Sequence, residues 1–559
     1  MPTINIDIID LFNLLETSLS EEQLRELLEY TKCEIKEIKG TTATLEVNAD
    51  RPDLFSVEGL ARAIRPLIGK KNKLIPTKHS NYKIIVEPSV LEVRPAIAAF
   101  IVKGVKINDT ILSQTFQFQE KLHETLCRNR KKGSIGLYDI SKITTTIKYK
   151  ALPLTEIKFR PLDQQIIMRG DEIIKNTDKG LKYGSLIGNK APLLIDENGT
   201  VLSMPPIINS EDTRLTVGTK DVLIDVTGFD REFVTNVGRI IAYNLAERGA
   251  THIESVTIEY PDITYIPSLE YQQIKLSKEL INNTLGLHLN IRSIAKLLKK
   301  MNHIITIKNN NELLVEVPPY RVDVLHPIDL VEDVAIAYGY MKINPTYPLI
   351  NTKGHELPIR SLEKGIREIM IGLGFQEILN YMMTSPKIQL ENMLLPESEI
   401  TNIIEVENPM SDEYTSLRIW LIPGLLNFLS FNVDAPYPQK IFEIGYTVQR
   451  NPQYPNLTLQ EMKIAAAHTE YAVSYEQIQA VAYALLKTFE LDPQFEPLEH
   501  PSFLNGRAAE IITNNRKIGI IGELHPKVLL NFRLRMPTAA FEINITKIAE
   551  ILKIPTETI

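Results

Sequence analysis

An α+β protein of several separately cored domains is what this sequence predicts, on three observations. The chain has 559 residues, and single cores stop growing at about 250–300 residues, so several compact units are expected. Period-two alternation and 3.6-residue apolar stripes occur side by side along the whole length instead of in separate blocks. Polar, turn-rich stretches such as KKNKLIPTKHSNYK and NPTYPLINTKG interrupt that pattern and mark joints between units. A hydrophobic share of 44% with a charged share of 23% is the balance of a chain that packs cores, not of a disordered one.

Taken in order, residues 1–75 open on the alternating strand INIDI. A helix follows whose Leu24, Leu27 and Leu28 form one stripe, and then the strand ATLEV. After the turn NADRPD, helical spacing returns through Val57, Leu60, Ala61 and Ile64, which completes a small α/β module. Residues 76–265 carry the strand IAAFIVKGV, a helix through QEKLHETLCRNR and the strand DVLIDVTGFD, with joints at KYGSLIGNKAP and SMPPIINS. They read as an α/β domain with a partly antiparallel sheet. Residues 268–346 give two helices, LSKELINNTLG and IRSIAKLLKKM, two strands, HIITI and LLVEVPPYR, and an acidic helix, a set that fits a winged-helix arrangement. In 350–559 the helix IRSLEKGIREIMIGLGF turns out at Gly374, and KIFEIGYTV, RAAEIIT, KIGIIGEL and AAFEINI supply strands for an antiparallel sheet backed by helices.

The net charge is −7, so contact with a polyanion has to come from local basic surfaces and not from the field of the whole molecule. The two cysteines, Cys33 and Cys127, have no CxxC spacing, which argues against a disulfide framework and a thiolate zinc site. The start, MPTINIDIID, lacks the basic and apolar regions of a secretory signal, and no apolar run is long enough to cross a bilayer, so a cytoplasmic protein with no membrane contact is expected.

Between Arg321 and Tyr340 the chain reads RVDVLHPIDLVEDVAIAYGY, with Asp323, Asp329, Glu332 and Asp333 close together. Asp329, Glu332 and Asp333 fall at i, i+3 and i+4, so on a helix they share one face. Two readings follow from that spacing. Oxygen ligands of this kind suit a hard divalent ion, and Mg2+ takes one or two carboxylates plus water or a partner's groups. Acids in the first turn after Pro327 are equally favoured by the helix macrodipole with no metal at all.

Five long segments carry a resemblance: NADRPDLFSVEGLARAIRP, LHETLCRNRKKGSIGLYDISKI, VLSMPPIINSEDTRLTVGTKDVLIDVTGFD, VPPYRVDVLHPIDLVEDVAIAYGY and TSLRIWLIPGLL. On these the chain resembles the β subunit of phenylalanyl-tRNA synthetase, in its short archaeal or eukaryotic-like form, over nearly its whole length. The resemblance implies an α2β2 heterotetramer acting on tRNA-Phe, with ATP and L-phenylalanine bound on the α subunit. It also implies that the extra tRNA-binding and anticodon modules of the long bacterial form are missing. Residues 76–265 would be the editing domain (B3/B4-like), 268–346 the B5-like module, and 350–559 a class II synthetase-like core without chemistry.

The last point has support from the residues themselves. A class II site needs arginines that hold ATP phosphates, whereas IGIIGELHP has no arginine after Gly522 and Glu443 in FEIG has no partnered upstream arginine. The other reading, an unrecognised active site around Arg507 and Arg516, stays open here because fold alone does not certify chemistry.

An apolar pocket rejects an added hydroxyl only by about a hundredfold, so a second site has to remove tyrosine wrongly attached to the tRNA. Asp225 and Thr227 stand two apart in LIDVTG and point to one face of a strand, and they match residues of the family's editing pocket. By the same resemblance Ser203 and Pro205 line that pocket. His123 and the run Arg128, Arg130, Lys131 and Lys132 would hold the tRNA acceptor end through phosphates. The competing reading is a solvated helix end, with His123 structural and the cations favoured by the dipole. No serine, histidine and acid trio is spaced for an acyl-enzyme, so direct attack by a positioned water is expected. The family's β chain also carries Mg2+ on residues matching Asp323, Asp329, Glu332 and Asp333. Two further readings use the same modules: a non-enzymatic RNA-binding or scaffold protein, and a freestanding hydrolase of mischarged tRNA.

Overall fold

A computed structural model describes residues 2–555, and the chain divides into two units, one up to Tyr347 and one from Pro348 on. The first unit starts with a three-stranded antiparallel sheet of β1 (Thr3–Asp7), β2 (Cys33–Lys39) and β3 (Thr42–Val47), with β3 in the middle. Helices α1 (Ile8–Leu15), α2 (Glu21–Tyr30) and α3 (Val57–Leu67) complete the module. Their starts are chemically set: Asp7, Ser20 and Ser56 each cap the following helix by accepting backbone N–H groups, and Ser20 with Gln23 forms a capping box.

The large sheet of this unit is built from β4 (Thr77–Val86), β5 (Ala96–Lys103), β6 (Gly133–Asp139), β7 (Thr146–Pro153), β8 (Lys190–Asp196), β9 (Val201–Met204), β10 (Ile208–Asn209), β11 (Asp221–Gly228) and β12 (His252–Glu259). A short strand, Thr264–Tyr265, adds to β12, and the order across the rest is β10-β9-β8-β7-β4-β12-β5-β11-β6. Pairing is antiparallel except where β4 runs parallel to β12 and to β7, which is the partly antiparallel sheet expected. The stretch TKHSNYK, read as linker, is instead the first part of β4. Its exposed side chains hid a backbone that pairs with β12 from Thr77 and with β7 from Lys83. Helices α4 (Asp109–Glu124) and α7 (Arg231–Ala246) cover one face, while α5 (Gly170–Asn176) and α6 (Asp178–Tyr183) lie in the β7–β8 connection. Gly238 of α7 lies so close to the Phe100 ring that a Cβ there would overlap it, which seats the helix tightly behind β5 and β11.

The third segment has β13 (Gln272–Ser277), α8 (Lys278–Leu285), α9 (Ile291–Lys300), β14 (Ile304–Ile307), β15 (Glu312–Val317) and α10 (Pro327–Tyr338). Its sheet has three strands in the order β13-β15-β14, one more than the two-stranded wing expected. The extra strand comes from QQIKLS, whose Ile274 and Leu276 alternate inward.

In the second unit, β16 (Gln376–Glu377), β17 (Gln439–Arg450), β18 (Thr458–Thr469), β19 (Gln494–Pro497), β20 (Phe503–Thr513), β21 (Arg516–Leu524) and β22 (Thr538–Asn544) form one sheet in the order β16-β17-β18-β22-β21-β20-β19. All of its pairs except β16–β17 are antiparallel. Helices α11 (Pro358–Gly372), α13 (Tyr475–Thr488) and α15 (Ile545–Ile551) pack into one core, and α12 (Ile422–Ser430) with α14 (Pro526–Asn531) into another. Gly374, at φ 84°, makes the turn after α11. No helix among the described residues is long and apolar enough to cross a membrane.

Candidate functional site

The two ends of the large sheet, β6 and the β9–β10 hairpin, face each other across a cavity. A sheet of this many twisted strands curls, and the curl brings Ser203 against Tyr138, which lies 65 positions away in the chain. The cavity is narrow, about 20 Å3, and its lining includes Arg130, Tyr138, Ser203, Pro205, Asn209 and Asp225. A second, wider cavity of about 390 Å3 shares Arg130, Ile135, Ile208 and Asn209 with it and extends to Glu120, Lys179 and Arg214.

Asp225 is 2% exposed. The Tyr138 phenol donates to its Oδ1 at 2.5 Å and lies 2.8 Å from Ser203 Oγ. A phenol has one hydrogen, so with that hydrogen on Asp225 the serine hydroxyl supplies the other contact. Burial pushes the Asp225 carboxyl up to about 7, against the lowering pull of the Tyr138 bond and of Arg94. Opposite Asp225 in register stands Gly136. A Cβ at Gly136 would overlap both the Tyr138 oxygen and Asp225 Oδ1, so only glycine leaves room for their bond. Thr227, on the same face as Asp225, is fully buried and has both neighbours engaged: Arg94 Nε donates to its Oγ1 at 3.0 Å, and Ser134 Oγ lies at the same distance.

The basic residues divide. His123 is 1% exposed, its Nε2 accepts from the Ile135 N–H at 2.9 Å, and burial lowers its pKa to about 4. It is a neutral pin between α4 and β6 and not a phosphate ligand. Arg130 is also withdrawn. Its Nη1 donates to the carbonyls of Pro206 and Ile207 at 3.1 and 2.9 Å, and its Nη2 to Glu120 at 2.6 Å. It therefore ties α4 to the turn between β9 and β10. Arg128, Lys131 and Lys132 are exposed. They do not continue the helix, because α4 ends at Glu124 and Arg128, Asn129 and Arg130 take φ values of 48°, 51° and 64°. Left-handed conformations in three successive non-glycine residues persist only where the surroundings over-determine them. Here the Arg130 N–H bond to the His123 carbonyl and the Arg130 side-chain bonds do so.

Three further residues carry no sequence signal. Besides Tyr138, Asn209 stands opposite Ser203 in register and lines both cavities, and its side chain makes no hydrogen bond among the described residues. Side chains directly opposite in an antiparallel pair share a face about 5 Å apart, so the free amide points where Ser203 does. Gln119 donates its Nε2 to the Ile135 carbonyl at 2.8 Å and lines the wider cavity, leaving Oε1 free.

The four acids of the third segment have separate partners. Arg321 holds Asp323 by two hydrogen bonds, 2.9 Å from Nε and 2.8 Å from Nη2, and reaches Asp333 at 3.0 Å, while His303 Nε2 meets Asp333 at 2.6 Å. Burial lowers the His303 pKa, so the ring is neutral and donates. Asp329 Oδ2 accepts the backbone N–H groups of Leu325 and His326, which is helix-start chemistry, and Glu332 Oε1 pairs with Lys32 at 2.9 Å. No three His, Cys, Asp or Glu side chains among the described residues assemble into a metal site. The expected set is therefore corrected. Asp323 and Asp333 are engaged by Arg321 and His303, and of the four acids only Asp329 and Glu332 keep an oxygen without a partner among the described residues. The arrangement does not fit a four-carboxylate Mg2+ shell.

In the second unit Glu443 does have an upstream arginine, contrary to the sequence reading. Arg418 Nη1 donates to its Oε1 at 2.5 Å, and Asn380 Nδ2 to its Oε2 at 2.7 Å. Arg418 and Glu443 are 7% and 0% exposed, so this charge pair is spent internally. Arg507 pairs with Glu523 and Arg516 with Glu550, both on the surface.

Over 554 residues, 97% of this chain and 99% of the relative, the sequence is 38% identical to the phenylalanine–tRNA ligase beta subunit of Pyrococcus horikoshii. The chain belongs to the phenylalanine–tRNA ligase beta subunit family. The Thermofilum pendens beta subunit is 36% identical over 547 residues, covering 98% of each chain. Three family descriptions match in series: the B3/4 domain at residues 121–251, the tRNA synthetase B5 domain at 274–340, and the phenylalanyl tRNA synthetase beta chain CLM domain at 343–545. The crystal structure of an N-terminal fragment of the phenylalanyl-tRNA synthetase beta subunit from Pyrococcus horikoshii superposes with a TM-score of 0.58 at 38% identity, covering 61% of this chain and all of the fragment. Membership of the phenylalanine–tRNA ligase beta subunit family assigns the chain to an aminoacyl-tRNA synthetase, a ligase that joins phenylalanine to tRNA, and implies an alpha partner. Every residue of the smaller cavity lies within the B3/4 match.

Proposed function

We propose that the double cavity of the B3/4 segment hydrolyses tyrosyl-tRNA, while the bond-forming site for ATP and L-phenylalanine lies on the alpha subunit of an α2β2 assembly bound to tRNA-Phe. The observation that carries this reading is the pairing of cavities. A narrow chamber of about 20 Å3 ends on Asp225 and Ser203, and it shares Arg130 and Asn209 with a wider one of about 390 Å3. The reading directs the amino acid side chain to the narrow polar chamber, which has to widen to admit it, and the terminal nucleoside to the wide one, so the ester lies at their shared wall. The exposed Arg128, Lys131 and Lys132 are placed to meet phosphates of the acceptor strand.

The chemistry follows from groups left free at that wall. Asn209 offers an amide N–H to the ester carbonyl oxygen, where negative charge develops as water attacks. Gln119 Oε1 accepts a hydrogen bond from that water. The water oxygen bonds to the carbonyl carbon, the carbon–oxygen bond to the ribose breaks, and a proton passes to the ribose oxygen. Tyrosine and uncharged tRNA leave. His123 takes no part, because its Nε2 lone pair is used by Ile135. Discrimination comes from Asp225, since a buried acceptor left unpaired by phenylalanine costs about 1–3 kcal/mol.

The test is to assay the complex purified with its alpha partner for tyrosyl-tRNA hydrolysis. Asn209→Ala should lower kcat about 10²–10³-fold, the usual effect of losing one oxyanion donor, with phenylalanine charging unchanged. Hydrolysis undiminished in the variant removes Asn209 from the mechanism, and no hydrolysis by the wild-type complex removes the function. The C-terminal unit is read as a synthetase-like scaffold because its Arg418 and Glu443 neutralise one another. A Mg2+ ion bound by this chain would use Asp329 and Glu332 with water or alpha-chain groups. Anomalous density from Mn2+ in crystals of the assembly would lie beside those two acids and not between Asp323 and Asp333.

A further inference from the structure

The pocket that is read above as binding a substrate tyrosine already contains a tyrosine of its own. Tyr138 is 1% exposed, and its ring lies back over Gly136 so that the phenol reaches Asp225 Oδ1 at 2.5 Å and Ser203 Oγ at 2.8 Å. Register explains how. Asp225 is paired with Gly136 and Leu223 with Tyr138, and residues two apart on a strand share a face. The missing side chain at 136 is the opening through which the phenol arrives. Asp225 Oδ2, by contrast, has no hydrogen-bond partner among the described residues, and the residue lines the small cavity.

We infer that Tyr138 is a positioning residue that sets the specificity of this pocket, by clamping one oxygen of Asp225 so that the other is held toward the cavity. The inference rests on the hydrolytic reading of the site. A carboxylate with both oxygens free turns toward whatever donor is near. Ser203 and Arg94 are both close, so an unclamped Asp225 would satisfy itself whether the ligand carried a hydroxyl or not. With Oδ1 held by the phenol, and the phenol held by Ser203, that rotation is blocked. Oδ2 is then paired only when the incoming side chain brings its own O–H. Phenylalanine leaves it dry and unpaired, and the penalty falls on the wrong ligand alone. The internal phenol thus makes the same contact on Oδ1 that the substrate phenol makes on Oδ2.

The clamp also tunes the carboxyl. The titratable or charged groups facing Asp225 are Tyr138 from β6, Arg94 from the segment before β5, and Tyr149 from β7. Of these Tyr138 and Arg94 lower its pKa while burial raises it. Removing the phenol hydroxyl therefore moves the carboxyl further up.

The test uses the complex with its alpha partner, comparing kcat/KM for hydrolysis of tyrosyl-tRNA and phenylalanyl-tRNA in wild type, Tyr138→Phe and Ser203→Ala. Tyr138→Phe should lower the tyrosyl to phenylalanyl ratio at least about tenfold, mainly because phenylalanyl-tRNA begins to be hydrolysed. The pH at which discrimination sets in should also move upward. Ser203→Ala, which keeps the Tyr138–Asp225 bond but loosens the phenol, should shift the ratio the same way by less, and it serves if Tyr138→Phe fails to fold. A purely structural role would slow both substrates alike with no movement of the pH profile. That outcome, or an unchanged ratio in both variants, overturns the inference while leaving the hydrolytic reading intact. A wild-type complex that hydrolyses neither substrate overturns both.

Discussion

Asp225→Asn isolates the charge of the carboxyl from its geometry, because an amide oxygen can still accept from Tyr138. In the folded chain burial holds the carboxyl at about 7, whereas its ordinary value is 3.8. The folded state therefore binds this proton more tightly than the unfolded state. Below about pH 4 both states are protonated and the site carries no charge penalty. As the pH rises toward 7 the unfolded chain ionises first, and above 7 the folded chain holds a buried charge at full penalty. At 1.36 kcal/mol per decade, the separation amounts to about 4 kcal/mol, as an order of magnitude. Asparagine does not titrate. The variant should be close to wild type in stability near pH 4 and gain on it steadily toward pH 8, by up to that amount. Urea midpoints for both chains across this range, with m unchanged between them, measure the gap. Curves that stay parallel from about pH 4 to about pH 8 would refute the reasoning, since the carboxyl would then not be titrating in the window that its burial dictates.

Two other perturbations test the frame around the pocket and the charge cluster of the third segment. Gly136→Ala forces a Cβ into the Tyr138 and Asp225 oxygens. A loss of about 1–3 kcal/mol of stability is expected, with tyrosyl-tRNA hydrolysis falling further than the urea midpoint alone accounts for. Arg321→Met removes the cation shared by Asp323 and Asp333, and breaking a buried pair from one side costs about 3–5 kcal/mol. The Asp323 and Asp333 carboxyls are held below their ordinary range, mainly by Arg321 working against burial. Their contribution is present above the unfolded carboxyl range and lost as pH falls through the folded values, so the deficit measured by denaturation should be full at neutral pH and shrink in acid.

How much was legible depended on whether the signal was local. The strand bearing Asp225 and Thr227 could be read because VLIDVTG is continuous in one segment, and period two put both side chains on one face. The start of α10 was legible too, from Pro327 and the acids after it, and Asp329 closes a capping box as first-turn chemistry allows. The start of β4 was not, since its pairing with β12 uses backbone groups that every residue has. The fate of the charges was equally hidden. Arg130 read as a surface cation, and His123 as either a phosphate contact or a structural histidine, until folding buried them against Ile207, Glu120 and Ile135. Asp323 and Asp333 read as metal ligands until Arg321 closed on both.

By itself the sequence determined most of the strands and helices and, through long matching stretches, the family, because these rest on periodicity and on residue identity at fixed spacing. Only the tertiary structure decided which side chains meet. Tyr138 reaches Asp225 across 87 positions and Ser203 across 65, and no spacing rule spans such distances. Tyr138 meets Asp225 because β6 and β11 pair in register, and Ser203 joins them because the twisted sheet curls until its two ends enclose a cavity. Inside that cavity each polar group must find a partner or face a ligand, and that requirement, imposed by the loss of water and not by any motif, defines the site.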